Sequence, residues 1–239
     1  MKTAQTILLQ RIPTLVCYAR DLAASVHKGT ILFYHGLGAA KELHLAEIEQ
    51  LTAAGFLVIA VDAVGHGQRT DPGLAQRIAP GRPSRSAAFQ EVVCSTAAEI
   101  PFLLDDLWSR QWIDGNKIGI AGISMGGCIG FLAITAEWRF RVAVTILGTP
   151  EIEQASSSSP QYNLEKFSTI RLQSQNAARD EIVMAAEAHR FHAGLQHLYD
   201  DYDDRFEYIE YPDSGHFMEQ KDWNRCIGRM VHWFDRHMP

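Results

Sequence analysis

The sequence predicts an α/β fold, a mostly parallel twisted sheet with helices on both faces. Three observations predict it. Strand-length apolar runs alternate with helix-length stretches through most of the 239 residues. One such run, residues 117–121, passes through Gly122-Ile123-Ser124-Met125-Gly126 directly into a helix-like run over 128–137. Several strands end in polar or Gly-rich turns, and open α/β sheets gather functional groups at the carboxyl ends of their strands.

Apolar, β-prone runs at 6–9 and 14–18, separated by Pro13, predict an antiparallel start to the sheet. Residues 30–34 are almost continuously apolar, which suits a central strand covered on both faces; they lead into His35-Gly36-Leu37-Gly38. A helix is expected over 41–54, with Leu43, Ile48 and Leu51 on its apolar face and Gly55 as its stop. Residues 56–61 form a second buried strand ending in Asp62, before a Gly-, Pro- and Arg-rich stretch over 63–83. Residues 86–110 are helical in pattern, and Pro101 is expected to kink or divide that helix. Further strands are expected at 142–147, 168–173 and 206–211, with helices at 182–199 and 223–237. The chain shows no internal repeat and no dividing linker, so residues 1–239 are expected to form one domain. The Ser-rich loop at 148–167 is its candidate minimal cap.

Composition narrows the function classes. The chain is 46% hydrophobic and 21% charged, with a net charge of −6, which marks a globular protein. It has no basic block to suggest a nucleic-acid surface. No apolar run is long enough in sequence to span a bilayer, and the N-terminus lacks a secretory h-region, so a cytoplasmic protein is the expectation. Cys17, Cys94, Cys128 and Cys226 are scattered and form no C-x-x-C pair; neither zinc nor a disulfide framework is expected. Cys128, one helical turn after Ser124, reads as a small buried side chain.

A strand that turns sharply into a helix holds its turn residue in a strained conformation above the sheet edge. Glycines two before and two after avoid collision with neighbouring backbone. The Ser124 hydroxyl so presented needs a base. His216 follows a strand, sits in an Asp-Ser-Gly turn and precedes a helix. A carboxylate must orient that base, and the chain order Ser…Asp/Glu…His places it between 124 and 216. Asp180 is the first choice, at the start of a helix; Glu151 and Glu153 are alternatives, and Asp213 lies too close to His216 in sequence. The oxyanion donors are expected to be the backbone N–H groups of Met125 and Leu37. His35 and His66 read as hydrogen-bonded structural histidines, and His189, His192 and His197 as a solvated helix face rather than a metal site. The run Asp200-Asp201-Tyr202-Asp203-Asp204 lacks the glycine and final glutamate of a calcium loop and reads as a solvated helix end. No cofactor and no metal are expected.

The pieces Phe33-Tyr34-His35-Gly36, Asp62 with Gly65-His66-Gly67, the Ser124 turn, Asp180-Glu181-Ile182-Val183 and Ser214-Gly215-His216 together resemble the α/β-hydrolase superfamily. The chain looks most similar to the small esterases of the dienelactone-hydrolase and prolyl-oligopeptidase-like branch. It departs from dienelactone hydrolases in carrying Ser124 where they use cysteine. The resemblance implies a serine hydrolase acting on carboxylic esters, with water as second substrate, and the short cap argues against a deep tunnel, so small to medium acyl groups are expected. Thioesterase, amidase or peptidase chemistry on the same residues, or a non-catalytic binding protein, are the alternatives. Arg69, Arg77, Arg82 and Arg85 read as a solvated loop, unless one of them holds an acidic substrate.

Overall fold

The computed structural model describes residues 3–199 and 204–238; four residues of the acidic run, 200–203, lie outside them. Strands β1 (Thr3–Leu9) and β2 (Ile12–Tyr18) form an antiparallel hairpin. Its two-residue turn places Gln10 and Arg11 at φ 49° and 66°, the backbone that matches right-twisted strands. Pro13 lies inside β2 rather than between strands. It has no N–H to give, and its carbonyl accepts from Asp62 N at 3.1 Å.

Helix α1 (Leu22–Lys28) was not legible in the sequence, because two turns are too short to display a helical period. Asp21 caps it by accepting from Ala24 N at 2.8 Å. Then come β3 (Thr30–Tyr34), α2 (Leu45–Ala53) and β4 (Leu57–Val61). Ile48 and Leu51 of α2 face the core, but Leu43 precedes the helix and is exposed. The Arg-rich stretch holds a short helix, α3 (Pro72–Arg77), before the long α4 (Arg85–Ser109). Pro101 does not divide α4. Proline removes one N–H donor, while the buried stripe of Ala97, Ile100, Leu103, Leu104 and Leu107 holds both halves of the helix to the core. By length and composition α4 could cross a bilayer; here that stripe packs inside the protein.

Strand β5 (Ile118–Ile123) leads into α5 (Met125–Ala136), followed by β6 (Val142–Ile146). Residues 150–170 form three 3₁₀ segments that pack on α4 and α5. The chain ends with β7 (Arg171–Ala177), α6 (Ala185–Gln196), β8 (Phe206–Tyr211) and α7 (Gln220–His237). The described residues build an eight-stranded sheet of order β1-β2-β4-β3-β5-β6-β7-β8, parallel from β4 to β8. Alternate side chains feed two cores. Leu32, Leu57, Ile59 and Ile120 pack under α4 and α5; Ile31, Phe33, Val58 and Val144 pack under α2 and α7.

β7 runs 171–177 rather than 168–173. Gln173, Ser174, Gln175 and Asn176 are all buried, so the strand has no apolar signature. Its amides satisfy one another and their neighbours. Gln175 Nε2 donates to Gln173 Oε1 and to Cys226 O, Tyr211 Oη donates to Gln175 Oε1, and Asn176 Nδ2 donates to Gly148 O.

The loop after β3 is fixed by a buried ion pair. Lys41 Nζ stands 2.8 Å from Asp62 Oδ2, and both side chains are fully buried. Asp62 also accepts from Lys41 N and Gln68 N at 2.9 and 3.0 Å. Burial opposes ionisation of Asp62, but these hydrogen bonds outweigh it and hold its carboxyl below the usual carboxylate range. Burial works against the Lys41 ammonium too, yet Asp62 and Glu42 hold its pKa above the usual value. Asp62 therefore contributes stability in full above the ordinary carboxylate pKa of about 4, and loses it as pH falls through the lower folded value. Lys41→Met should destabilise the protein by about 3–5 kcal/mol in urea unfolding at neutral pH, since it leaves Asp62 buried and uncompensated. Lys41→Met with Asp62→Leu should recover only part of that loss, because Lys41 N and Gln68 N lose their acceptor, and should show less destabilisation on acidification below about pH 4.

Candidate active site

Ser124 occupies the turn between β5 and α5 with φ 57° and ψ −115°, a conformation costly for a residue with a side chain. Neighbouring backbone imposes it. A β-carbon at Gly122 would stand 2.0 Å from Gly126 O, and one at Gly126 would stand 2.1 Å from Tyr34 O. Ser124 N donates to Ile146 O at 2.7 Å, which ties the turn to β6.

The structure brings Ser124, His216 and Asp180 into one hydrogen-bonded line. Ser124 Oγ lies 2.9 Å from His216 Nε2, and His216 Nδ1 lies 2.7 Å from Asp180 Oδ2. An ionised carboxylate only accepts, so Nδ1 carries the proton and the Nε2 lone pair faces the serine hydroxyl. Asp180 lies in a turn beyond β7, five residues before α6, and not at a helix start. Its Oδ1 accepts from Ile182 N and Val183 N, both at 2.8 Å. Burial raises the cost of its charge, but hydrogen bonds from His216, Val183 and Ile182 prevail and hold its pKa below the usual carboxylate value. The alternative acids are placed elsewhere: Glu151 pairs with Arg190, and Glu153 is exposed at the start of the first 3₁₀ segment; Asp213, set aside for its closeness to His216, pairs with Arg179 at the surface.

The loop after β3 lies against the serine, with a β-carbon at Gly36 falling 4.0 Å from Ser124 Oγ. The backbone N–H groups of Leu37 and Met125 donate to no acceptor among the described residues. His35 stiffens this loop: Nδ1 donates to Gly36 O, and Nε2 accepts from Ala63 N. Burial lowers its pKa to about 4, which keeps the ring neutral. His66 Nδ1 is bonded to Val64 O. Cys128 is buried, accepts from Thr149 N, and has its thiol pKa pushed up to about 12 by burial, which keeps it a thiol near neutral pH.

His192 is not on a solvated face. It is buried and stacked on Tyr208 at 4.2 Å, while His189 pairs with Glu210. Among the described residues, no three His, Cys, Asp or Glu side chains are grouped to hold a metal ion.

Ser124 and His216 open onto a cavity of about 710 Å³ at the carboxyl ends of the strands. Its walls were not legible in the sequence. They come from five separate places: Leu43 before α2, Phe89 on α4, Leu147 after β6, Ile182 beside Asp180, and Phe217 and Trp223 around the start of α7. Of the 148–167 segment, Thr149 borders the cavity. Arg69 and Arg77 are engaged by Glu99 and Glu91; Arg85 lines the cavity. A second depression, about 390 Å³ between Trp108 and Trp138 near the start of β5, lies outside this site.

Comparison with known proteins agrees with this architecture. The family described as Hydrolase_4, serine aminopeptidase S33, matches residues 25–184. The Bacillus subtilis (strain 168) protein named "Putative esterase YitV" is 23% identical, over 87% of this chain and 89% of its own. TT1662 from Thermus thermophilus superposes with a TM-score of 0.81 at 20% identity, covering 97% of this chain and 98% of that one. A puromycin-hydrolyzing peptidase from Mycobacterium tuberculosis gives a TM-score of 0.73 at 15% identity, covering 98% of this chain and 39% of that one. At such identities the two structures speak to the fold. The family match spans well over half of the chain, and the protein therefore belongs to the serine aminopeptidase S33 (Hydrolase_4) family of α/β-hydrolases.

Proposed function

We propose that this hydrolase cleaves carboxylic esters through Ser124, His216 and Asp180. The observation that carries this reading is the hydrogen-bonded line from Asp180 Oδ2 to Ser124 Oγ at the mouth of an apolar cavity. Ser124 Oγ attacks the ester carbonyl carbon while His216 Nε2 takes its proton. Asp180 holds the reactive tautomer and stabilises the imidazolium. The Leu37 and Met125 N–H groups receive the oxyanion, each such donor being worth about 3 kcal/mol. The tetrahedral adduct then breaks its bond to the alkoxide, which leaves with the proton from His216. Water, activated by the same histidine, hydrolyses the acyl-enzyme and restores the serine. Residues 1–239 act as one catalytic unit, and the 148–167 segment caps it only at Thr149, so small and medium acyl groups enter from an open side.

The family's description raises a second reading, removal of N-terminal residues from peptides. Such a substrate carries an α-ammonium, which a carboxylate in the cavity would have to meet. Among the described residues no Asp or Glu lines the cavity, and Arg85 does, so the ester reading is favoured. The relative named as an esterase supports it too.

Wild-type protein should hydrolyse p-nitrophenyl esters from acetate through medium chain lengths, and Ser124→Ala should abolish turnover. Activity that survived in Ser124→Ala would remove the assignment of the nucleophile. Asp180→Asn should lower kcat on the order of 10⁴-fold, because it mis-sets the histidine tautomer. A circular dichroism melt would verify that this variant still folds. A fluorophosphonate should label Ser124 in the wild type, and failure of both labelling and turnover would favour a binding protein.

A further inference from the structure

Arg85 stands apart from the other arginines of its stretch. Arg69 is held by both carboxylate oxygens of Glu99, and Arg77 by Glu91. Arg82 is exposed and does not border the cavity. Arg85 is half-buried in the wall of the cavity that holds Ser124 and His216. Its guanidinium has no ion-pair or hydrogen-bond partner among the described residues. Among the described residues, no carboxylate lines that cavity, and no other Arg or Lys does. Arg85 and Phe89 are one turn apart on α4 and both face the cavity. The same wall thus presents a cation next to an aromatic surface.

A guanidinium set among apolar walls gives up hydration without a protein acceptor in return. Its planar fork of donors matches a carboxylate, and the bidentate pair is stronger where water is excluded. We infer that Arg85 is an anion subsite of this cavity, and that the protein's substrates are esters bearing a free carboxylate on an apolar spacer, such as half-esters of dicarboxylic acids. The spacer lies along Phe89 and Leu37 while Ser124 meets the ester carbonyl. This inference rests on the ester-hydrolase reading for the reaction, but the binding of a carboxylate at Arg85 does not depend on it.

The test compares mono-p-nitrophenyl esters of adipate, pimelate, suberate and azelate with neutral p-nitrophenyl esters of equal chain length. For at least one spacer, the wild type should show kcat/KM at least tenfold higher for the anionic ester, chiefly through KM. Arg85→Gln should reduce that anionic-to-neutral ratio at least tenfold, and Arg82→Gln should leave it unchanged. A ratio that Arg85→Gln does not alter, or a wild type that prefers the neutral ester at every length, overturns the inference. A second measurement is independent of chemistry. Adipate monoamide is titrated calorimetrically into Ser124→Ala and into Ser124→Ala/Arg85→Gln, with hexanamide as the neutral control. The added Arg85→Gln change should weaken monoamide binding at least tenfold and leave hexanamide unaffected. Equal monoamide binding in the two variants overturns the subsite even if esters are hydrolysed. Arg85-dependent binding without ester turnover in the wild type would uphold the subsite and remove the ester-hydrolase reading.

Discussion

The molecule is built around a contact of backbone against backbone. The turn at Ser124 is wedged between β3 and β6, with Gly126 against Tyr34 O and Ser124 N bonded to Ile146 O. Only glycine fits at those two positions, and the serine between them stands at positive φ with its hydroxyl at the cavity. Strain of this kind costs about 1–3 kcal/mol. Helix α5 more than offsets it, because Met125 to Ile134 are buried on every side, and burial of one large apolar side chain is worth about 1.5–3 kcal/mol. The packing that makes α5 the central helix is thus also what holds the hydroxyl above the sheet edge.

The same economy extends to the neighbouring loops. The chain after β3 is pinned by Lys41 and Asp62 from below and by His35 from within. Asp180 follows β7, whose polar side chains are locked to Gly148, Cys226 and Tyr211. A loop that begins at such a strand has little freedom at its root, and two backbone N–H groups then orient the carboxylate directly. Rigid scaffolding of this sort keeps hydrogen-bonding groups aligned without the entropy loss of ordering them on each encounter.

Much of the fold could be read from the sequence where burial and apolar pattern coincide. β3 and β8 fall on the expected residues, since one is a continuous apolar run and the other alternates. The boundary of β7 was displaced because Gln173, Ser174, Gln175 and Asn176 bury polarity through mutual hydrogen bonds that no single-residue propensity encodes. Pro101 does not end its helix because the local rule on proline is outweighed by the packing of the residues around it. His192 reads as polar, yet aromatic neighbours more than a dozen residues away in β8 bury it. At the site, Ser124, His216 and Asp180 are distinguished by motif and chain order. The cavity wall is made of ordinary Leu, Ile and Phe residues from distant loops, and nothing in a linear pattern separates those from core residues. For Arg85, exposure and partners decide the matter, and both are tertiary properties.

The rim of the cavity holds large apolar side chains in contact with water. Leu43, Ile182 and Phe217 are 64, 55 and 87% exposed, and Phe217 is the immediate neighbour of His216, their rings edge to face. An occupant that covers this rim removes hydrated apolar surface, so association carries a negative heat-capacity change. Its enthalpy therefore becomes more favourable as temperature rises while its entropic advantage shrinks. The rim gives the protein an affinity that changes less with temperature than either component alone.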